Sequence, residues 1–369
     1  MLWVDKYRPT RLDALDYHAN ITERLTSLSN DKNIPHLLFY GPSGAGKKTR
    51  INALLRSIYG APAEKLRLSK RIFKTPTNRE VEINMICSNV HIEMSPGDAG
   101  IYDRYVIQDV IKEMASNKAL NSSMYGNLKQ QQGDASGSNV ADFKVVVLNE
   151  VDSLSKQAQA SLRRTMEKYT SSCRLILCCS NQSKVIEPVR SRCLGIRVSA
   201  PSVDDIVKVL KVVARKEQFT LPDELAVNIA RESDRNLRRA VLMLEASKVQ
   251  QNVLTADQPV QKTDWESYIS QIAVDIVREQ SPQRLLFVRE KFYELLVNCI
   301  PADVILKTLA VELIKNLDDT LKAEVIEWAA FYEHRVCMGS KEIFHLEAFV
   351  AKFMAVYKAY INSMFDDDF

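Results

Sequence analysis

The sequence predicts an α/β fold with a parallel sheet, followed by helical domains. Four short apolar runs have the length and composition of strands buried on both faces, and helical patterns such as residues 156–168 lie between them. Strands that alternate with helices form parallel sheets, because each crossover helix returns the chain to the same end of the sheet. The four predicted strands are HLLFY (36–40), KVVVLNEVD (144–152), RLILCCSN (174–181) and CLGIRV (193–198).

Two polar stretches divide the chain into three predicted domains. The first, SAPSVDD (199–205), contains a proline and leads into a helical pattern with acids in its first turn, and the second is NVLTADQPVQKTD (252–264). Beyond Trp265 apolar residues recur at helical spacing. We therefore expect an α/β domain with a polar surface insertion, a small helical domain and a second helical domain, at residues 1–200 (insertion 116–142), 201–255 and 256–369.

Composition indicates a soluble protein of the cytosol or nucleus. Of the 369 residues, 46% are hydrophobic and 26% are charged, and no apolar run reaches the roughly 20 residues of a membrane span. The first residues are charged from Asp5 onward, unlike a signal peptide, and the seven cysteines form no Cys-x-x-Cys pair. We therefore expect reduced cysteines and neither secretion nor a membrane partner.

The basic residues are unevenly distributed. The formal net charge is only +4, but the segment from Lys47 to Arg79 holds ten basic residues and one acidic residue. Such a basic face suits a polyanion, for example a nucleotide or a nucleic acid. A solvated basic surface with no partner explains the same segment equally well.

A glycine-rich segment between the first strand and the next helix predicts a phosphate-binding loop. It matches the first seven places of G-x-x-x-x-G-K-[ST], in which backbone N–H groups and the helix dipole bind phosphate oxygens. Lys47 is expected to reach the β and γ phosphates. The segment consists of Gly41, Pro42, Ser43, Gly44, Ala45, Gly46, Lys47, Lys48 and Thr49.

Two positions depart from a competent hydrolytic site. Lys48 stands where a hydroxyl would ligate Mg²⁺, and Thr49, one residue later, points in another direction because a helix turns about 100° per residue. Asn149 stands where a second strand would supply a metal-holding acid, whereas Glu150, the place of the water-orienting base, is kept. The sequence therefore predicts nucleotide binding with little or no hydrolysis, and leaves Mg²⁺ binding open.

These motifs together resemble the small subunits of replication factor C, the eukaryotic sliding-clamp loader of the AAA+ ATPases, over essentially the whole chain. The amino-terminal segment WVDKYRP (3–9) is similar to the family's adenine-packing box, which implies that Val4, Tyr7, Arg8 and Pro9 bind nucleotide. Ser191-Arg192-Cys193 is similar to the S-R-C motif. The resemblance implies that Arg192 enters a neighbouring subunit's ATP site.

The resemblance also assigns two sensor positions and the helical domains. Asn181 corresponds to the sensor-1 residue, and Arg238, in LRRA (237–240), to a sensor-2 arginine facing the phosphates. The second domain corresponds to a helical lid, and the last to a collar that joins subunits. The altered loop resembles that of the family's one degenerate small subunit, which binds nucleotide without being a competent ATPase.

The resemblance implies the following partners. We expect ATP or ADP as the ligand, four other subunits in a heteropentamer, a PCNA-type clamp, primer–template DNA and a nuclear location, in replication and repair. Candidate DNA contacts are Arg104, Lys112 and Lys156, although Gln108 stands where other small subunits commonly carry an arginine.

Two alternatives remain at this point. In one, the chain is an active ATPase subunit of the same complex, with Thr49 or water replacing the lost ligands. In the other, it is a nucleotide-independent DNA-binding scaffold with a vestigial loop.

Overall fold

A computed structural model describes residues 1–31, 34–74, 80–116, 143–170, 172–251, 253–256, 258–315 and 317–366. The predicted surface insertion (116–142) therefore lies, from residue 117 onward, outside the described residues. The described chain forms two compact units, Met1–Val260 and Gln261–Phe369. None of its described helices has the length and apolarity that crossing a membrane requires.

The first unit is built on a mixed, mostly parallel sheet. Within the described residues its strands number seven and lie in the order β2-β3-β4-β5-β6-β1-β7. The pairs from β4 to β7 are parallel, whereas β2–β3 and β3–β4 are antiparallel. The strands are β1 (Leu37–Tyr40), β2 (Arg67–Lys74), β3 (Glu80–Cys87), β4 (His91–Met94), β5 (Lys144–Leu148), β6 (Cys173–Cys179) and β7 (Leu194–Arg197).

All four predicted strands are confirmed, as β1, β5, β6 and β7, and β5 ends before Asn149. The predicted parallel sheet is confirmed for the pairs from β4 to β7. The structure adds an antiparallel edge, formed by β2 and β3, which sequence analysis missed together with β4. Strand β2 lies within the basic segment, where arginine and lysine residues interrupt apolar residues such as Leu68 and Ile72, which are exposed. Charged residues are typical of an edge strand, which is why this one reads as a polar surface segment.

Helices cover both faces of the sheet. Along β5, Val146 and Leu148 belong to one apolar cluster and Val145 and Val147 to the other, as the two-residue period of a strand requires. Burial on both faces explains the unbroken apolar run of this strand. The helices are α1 (Trp3–Lys6), α2 (Ala19–Asn30), α3 (Lys47–Tyr59), α4 (Asp103–Ser116), α5 (Lys156–Tyr169) and α6 (Glu187–Arg190).

The helical pattern predicted after residue 200 is confirmed. The lid helices are α7 (Val203–Lys216), α8 (Asp223–Glu232) and α9 (Leu237–Gln250). They share an apolar cluster that includes Leu210, Ile229 and Leu244, and Trp3 and Tyr7 of the amino-terminal segment pack against it.

The second unit is helical and has a core of its own. Phe292, Leu309 and Phe349 are fully buried at its centre. Its helices are α10 (Asp264–Arg278), α11 (Pro282–Val297), α12 (Ala302–Ile314), α13 (Asp319–Met338) and α14 (Glu342–Asp366).

Candidate nucleotide-binding site

A cleft of about 400 Å³ lies in the first unit, at the carboxyl ends of β1, β5 and β6 and beside the lid helices. Ligand sites of open α/β sheets occupy this position, because the loops that follow parallel strands converge there. Most of the predicted nucleotide-binding residues line it, together with Glu150, the place of the water-orienting base: Val4, Tyr7, Arg8, Pro9, Ser43, Gly44, Gly46, Lys47, Lys48, Thr49, Asn149 and Arg238.

The phosphate loop has the backbone geometry that its glycines permit. Gly44 and Gly46 have φ angles of 72° and 80°, in the left-handed region that favours glycine. A β-carbon at Gly44 would lie 1.7 Å from the Oδ1 atom of Asn236, the residue that caps α9. The loop and the start of α9 therefore approach each other too closely for any side chain at position 44.

Lys47, the first residue of α3, is buried under the phosphate loop. Its ammonium group donates hydrogen bonds to the carbonyl oxygens of Gly41 (2.5 Å) and Pro42 (2.9 Å). Ala45 is buried, and its carbonyl accepts a hydrogen bond from the Tyr17 hydroxyl at 3.0 Å. Gly41, Pro42 and Ala45 thus support the loop from behind and do not line the cleft.

Lys48 and Asn149 converge on one buried carboxylate. Glu93, on β4, is only 5% exposed. The Lys48 ammonium forms an ion pair with Glu93 Oε1, and Asn149 Nδ2 donates a hydrogen bond to the same oxygen at 2.8 Å. The two departures found in the sequence are therefore parts of a single arrangement, the Lys48–Glu93–Asn149 cluster. No sequence motif identified Glu93, since an acid inside a short strand is recognised only when the strand's neighbours are known.

The Lys48–Glu93–Asn149 cluster does not fit Mg²⁺. Mg²⁺ requires oxygen ligands in octahedral geometry. Here an ammonium and an amide N–H₂ both donate to the one carboxylate oxygen that faces them. Elsewhere in the described part of the chain, no group of three or more His, Cys, Asp or Glu residues could hold a metal ion.

Glu150 lies in the cleft directly after β5. It adopts a left-handed conformation (φ 52°), and its carbonyl accepts hydrogen bonds from the backbone N–H (3.0 Å) and the hydroxyl (2.7 Å) of Ser153. Its side chain is exposed. Asn181 does not line the cleft: its Oδ1 accepts from the Ser183 backbone N–H and hydroxyl, at 3.0 and 2.6 Å.

The amino-terminal segment is fastened to the lid helices by acids that sequence analysis missed. The Trp3 backbone N–H donates to Glu245 at 3.0 Å, and the Trp3 ring stacks on Phe219. The Tyr7 hydroxyl and the Lys6 ammonium both donate to Glu217. These bonds lower the pKa of Glu217, the Lys6 hydrogen bond most. They place the side of the segment that carries Val4, Tyr7 and Arg8 along the cleft.

Cys178 lies in the cleft as an unreactive thiol. Burial raises its pKa to about 11, although the nearby Lys47 opposes this shift. At neutral pH the group is protonated, so it is no nucleophile.

Three family models match the chain along its length. Residues 17–202 match the model described as DNA polymerase III, delta subunit, and residues 208–249 match an RCF1/5-like AAA+ ATPase lid domain. Residues 265–361 match the model described as Replication factor C subunit 3, C-terminal domain.

Relatives that match over nearly the whole chain are also replication factor C subunits. The chain is 54% identical to Replication factor C subunit 5 of Oryza sativa subsp. japonica, over 99% of this chain and 100% of the relative. It is 53% identical to Replication factor C subunit 3 of Homo sapiens, over 98% and 97%. The chain belongs to the replication factor C family. A solved structure of the Thermotoga maritima RuvB Holliday junction branch migration motor is similar only distantly, with 17% identity, a TM-score of 0.45, and 73% of this chain and 80% of that chain covered.

Arg192 of this replication factor C chain lies outside the cleft. Its guanidinium bonds to Glu167 of α5 through Nε (2.8 Å) and Nη2 (2.6 Å), and Nη1 donates to the Pro188 carbonyl at 2.8 Å. The hydrogen bond from Arg192 lowers the pKa of Glu167. These bonds hold the Arg192 side chain in position. The side chain is 30% exposed, so part of it faces solvent.

The candidate DNA contacts lie on α4 and α5. Arg104, Lys112 and Lys156 are all exposed. Asp103 accepts hydrogen bonds from the Ser155 backbone N–H (2.8 Å) and hydroxyl (3.0 Å), which joins the starts of the two helices. Arg104 and Lys156, each next to one of these residues in sequence, therefore lie near one another, and Lys112 lies about two turns further along α4.

Proposed function

We propose that this chain is a subunit of a DNA sliding-clamp loader that binds ATP or ADP, hydrolyses little or none of it, and donates Arg192 to a neighbour's ATP site. Family membership supports the clamp-loader role. The observation that carries the lack of hydrolysis is the Lys48–Glu93–Asn149 cluster, in which both positions expected to hold the metal instead donate to a buried carboxylate.

The proposed assembly follows from the family. The chain joins four other subunits in a heteropentamer through its helical collar (256–369), and the AAA+ domain (1–200) and lid (201–255) enclose the nucleotide. The complex loads a PCNA-type clamp onto primer–template DNA in the nucleus, during replication and repair. Arg104, Lys112 and Lys156 are exposed cations suited to DNA phosphates.

Within its own site the chain binds nucleotide but does not hydrolyse it. The glycine loop, the start of α3 and Lys47 suit phosphate oxygens, and the amino-terminal segment supplies an apolar wall for a base. Glu150 is suited to orient a water molecule, but hydrolysis also needs a metal ion that bridges the phosphate oxygens, and the Lys48–Glu93–Asn149 cluster does not fit Mg²⁺. The active-ATPase alternative requires Thr49 or water to supply the missing ligands, and the pairing of Lys48 with Glu93 opposes it.

Arg192 is suited to act on a neighbour. It is absent from this chain's cleft, partly exposed, and held in one position by Glu167. An arginine supplied in trans stabilises the charge of a transferring phosphoryl group and is worth about 10³–10⁵ in rate.

The test is Arg192→Ala in the reconstituted complex, measured as ATPase activity stimulated by clamp and DNA. We expect the share of activity from the neighbouring site to be lost while the complex still assembles. Arg215→Ala, an exposed arginine of α7, is the matched control and should leave activity unchanged. Unchanged activity with Arg192→Ala would refute the role in trans.

A further inference from the structure

Lys48 places a fixed positive charge inside the cleft, and we infer that its ammonium replaces the divalent cation in this chain. The ligand is a nucleoside diphosphate or triphosphate that binds in the absence of Mg²⁺. This inference rests on the proposed nucleotide binding. It adds that the bound nucleotide carries no Mg²⁺ and that Glu93 holds the Lys48 ammonium in position.

The geometry directs the Lys48 ammonium towards the phosphate site. Lys48 follows Lys47 at the start of α3, and both residues line the cleft. Glu93 is almost fully buried, whereas the Lys48 side chain is 39% exposed, so the pair presents its cationic member to the cleft. An ammonium has three N–H donors. One of them satisfies Glu93, and the others remain for phosphate oxygens.

The charges of the cluster explain why the two departures occur together. A buried carboxylate beside a phosphate site repels the ligand unless a cation lies between them. Lys48 is that cation. An aspartate at position 149 would bring a second carboxylate against Glu93, whereas the Asn149 amide donates to it. Lysine at position 48 and asparagine at position 149 therefore form one neutralised unit around Glu93.

Removing Lys48 should restore a requirement for metal. In Lys48→Thr the Glu93 carboxylate loses its ion pair and the loop regains the hydroxyl of the usual motif. Lys48→Arg keeps the charge and should keep metal-independent binding. Lys65→Thr, which changes an exposed lysine outside the cleft, is the matched control.

The experiment titrates fluorescent ADP into the purified full-length chain, in excess Mg²⁺ and in excess EDTA, with circular dichroism to confirm folding. We expect the wild type, Lys65→Thr and Lys48→Arg to bind with dissociation constants that agree within about threefold between the two conditions. Lys48→Thr should bind roughly tenfold or more weakly in EDTA than the wild type, the order expected for loss of a charge-assisted hydrogen bond.

The outcomes separate the two proposals. No ADP binding by the wild type in either condition would overturn the proposed function and this inference with it. Wild-type binding that Mg²⁺ tightens by more than about threefold would overturn this inference alone. Metal-independent binding that persists at full strength in Lys48→Thr would do the same. If Lys48→Thr fails to fold, the wild type alone decides: equal affinities in Mg²⁺ and EDTA support the inference, and tightening by Mg²⁺ of more than about threefold overturns it.

Discussion

Gly44 is where the phosphate loop meets the lid helices, and its substitution should separate ligand binding from backbone strain. In Gly44→Ala the new methyl group would lie 1.7 Å from Asn236 Oδ1, so α9 and the loop must move apart. Gly60 has a similar φ of 69° but no atom within 4 Å of its added β-carbon. Both alanine variants should lose about 1–3 kcal/mol of stability, because a positive φ strains any residue that has a β-carbon. The contact with Asn236 adds to that loss in Gly44→Ala.

Only Gly44→Ala should also weaken nucleotide binding, by roughly tenfold or more, because Arg238 at the start of α9 moves with Asn236. The measurement is ADP affinity, with urea unfolding of both variants as the stability control. Equal affinities of the two variants would show that the contact with Asn236 has no part in binding.

The residues of the cleft divide into those that a motif reveals and those that only the fold reveals. Lys48 and Asn149 stand at fixed places in known motifs, so their departures were visible in the sequence. Glu93 was not, because its contact with Asn149 depends on the pairing of β4 with β5, in which Glu93 lies opposite Val147. Glu217 is a similar case: it follows α7 and meets Tyr7 across 210 positions of sequence.

Helix α7, the first of the lid, begins with a capping box that should give a pH-dependent contribution to stability. The Ser202 hydroxyl accepts from the Asp205 backbone N–H at 3.1 Å, and Asp205 Oδ2 accepts from the Ser202 hydroxyl (2.6 Å) and backbone N–H (3.2 Å). The Ser202 hydroxyl bond, the largest cause, lowers the pKa of Asp205. Ser202→Ala should cost about 1 kcal/mol near neutral pH, the usual value for a lost cap.

That cost should shrink in acid. A carboxyl whose pKa is lowered by folding stabilises the folded state above its unfolded pKa, and this contribution is lost as the pH falls through the folded pKa. The gap between wild type and Ser202→Ala should therefore narrow below about pH 4. Thermal unfolding across pH measures it, with Ser202→Thr, which keeps a hydroxyl, as the control. A gap that stays constant into acid would contradict the role given to Asp205.

The elements that sequence analysis identified are those whose burial pattern is unmistakable. Strands β1, β5 and β6 are buried on both faces and read as continuous apolar runs, and α7 carries acids in its first turn, as predicted. The pair β2–β3 gave no such signal, because one of its faces is exposed to solvent and charged or polar residues, such as Arg71 and Glu82, interrupt its apolar residues. The basic segment therefore contains an edge strand as well as part of the phosphate site.

Across the whole molecule, chemistry and assembly are assigned to different parts of the chain. The first unit contains the cleft and Arg192, whereas the second has a separate apolar core and no predicted site residue. The sequence predicted that the sheet comes first, followed by the lid helices and then a further helical unit, because strand patterns end at residue 198 and only helical patterns follow. This division is consistent with the proposal that the first unit binds nucleotide and donates Arg192 to a neighbouring subunit, while the second unit joins the subunits.

The most direct test of that proposal is Glu150→Gln in the reconstituted complex. This substitution removes the carboxylate proposed to orient water in the cleft, while the Lys48–Glu93–Asn149 cluster is left intact. The measurement is the steady-state ATPase rate of the complex with clamp and primer–template DNA. We predict a rate equal to that of the wild type, because this site contributes no turnover. A fall in the rate, with assembly and nucleotide binding preserved, would contradict the account and identify the chain as an active ATPase subunit.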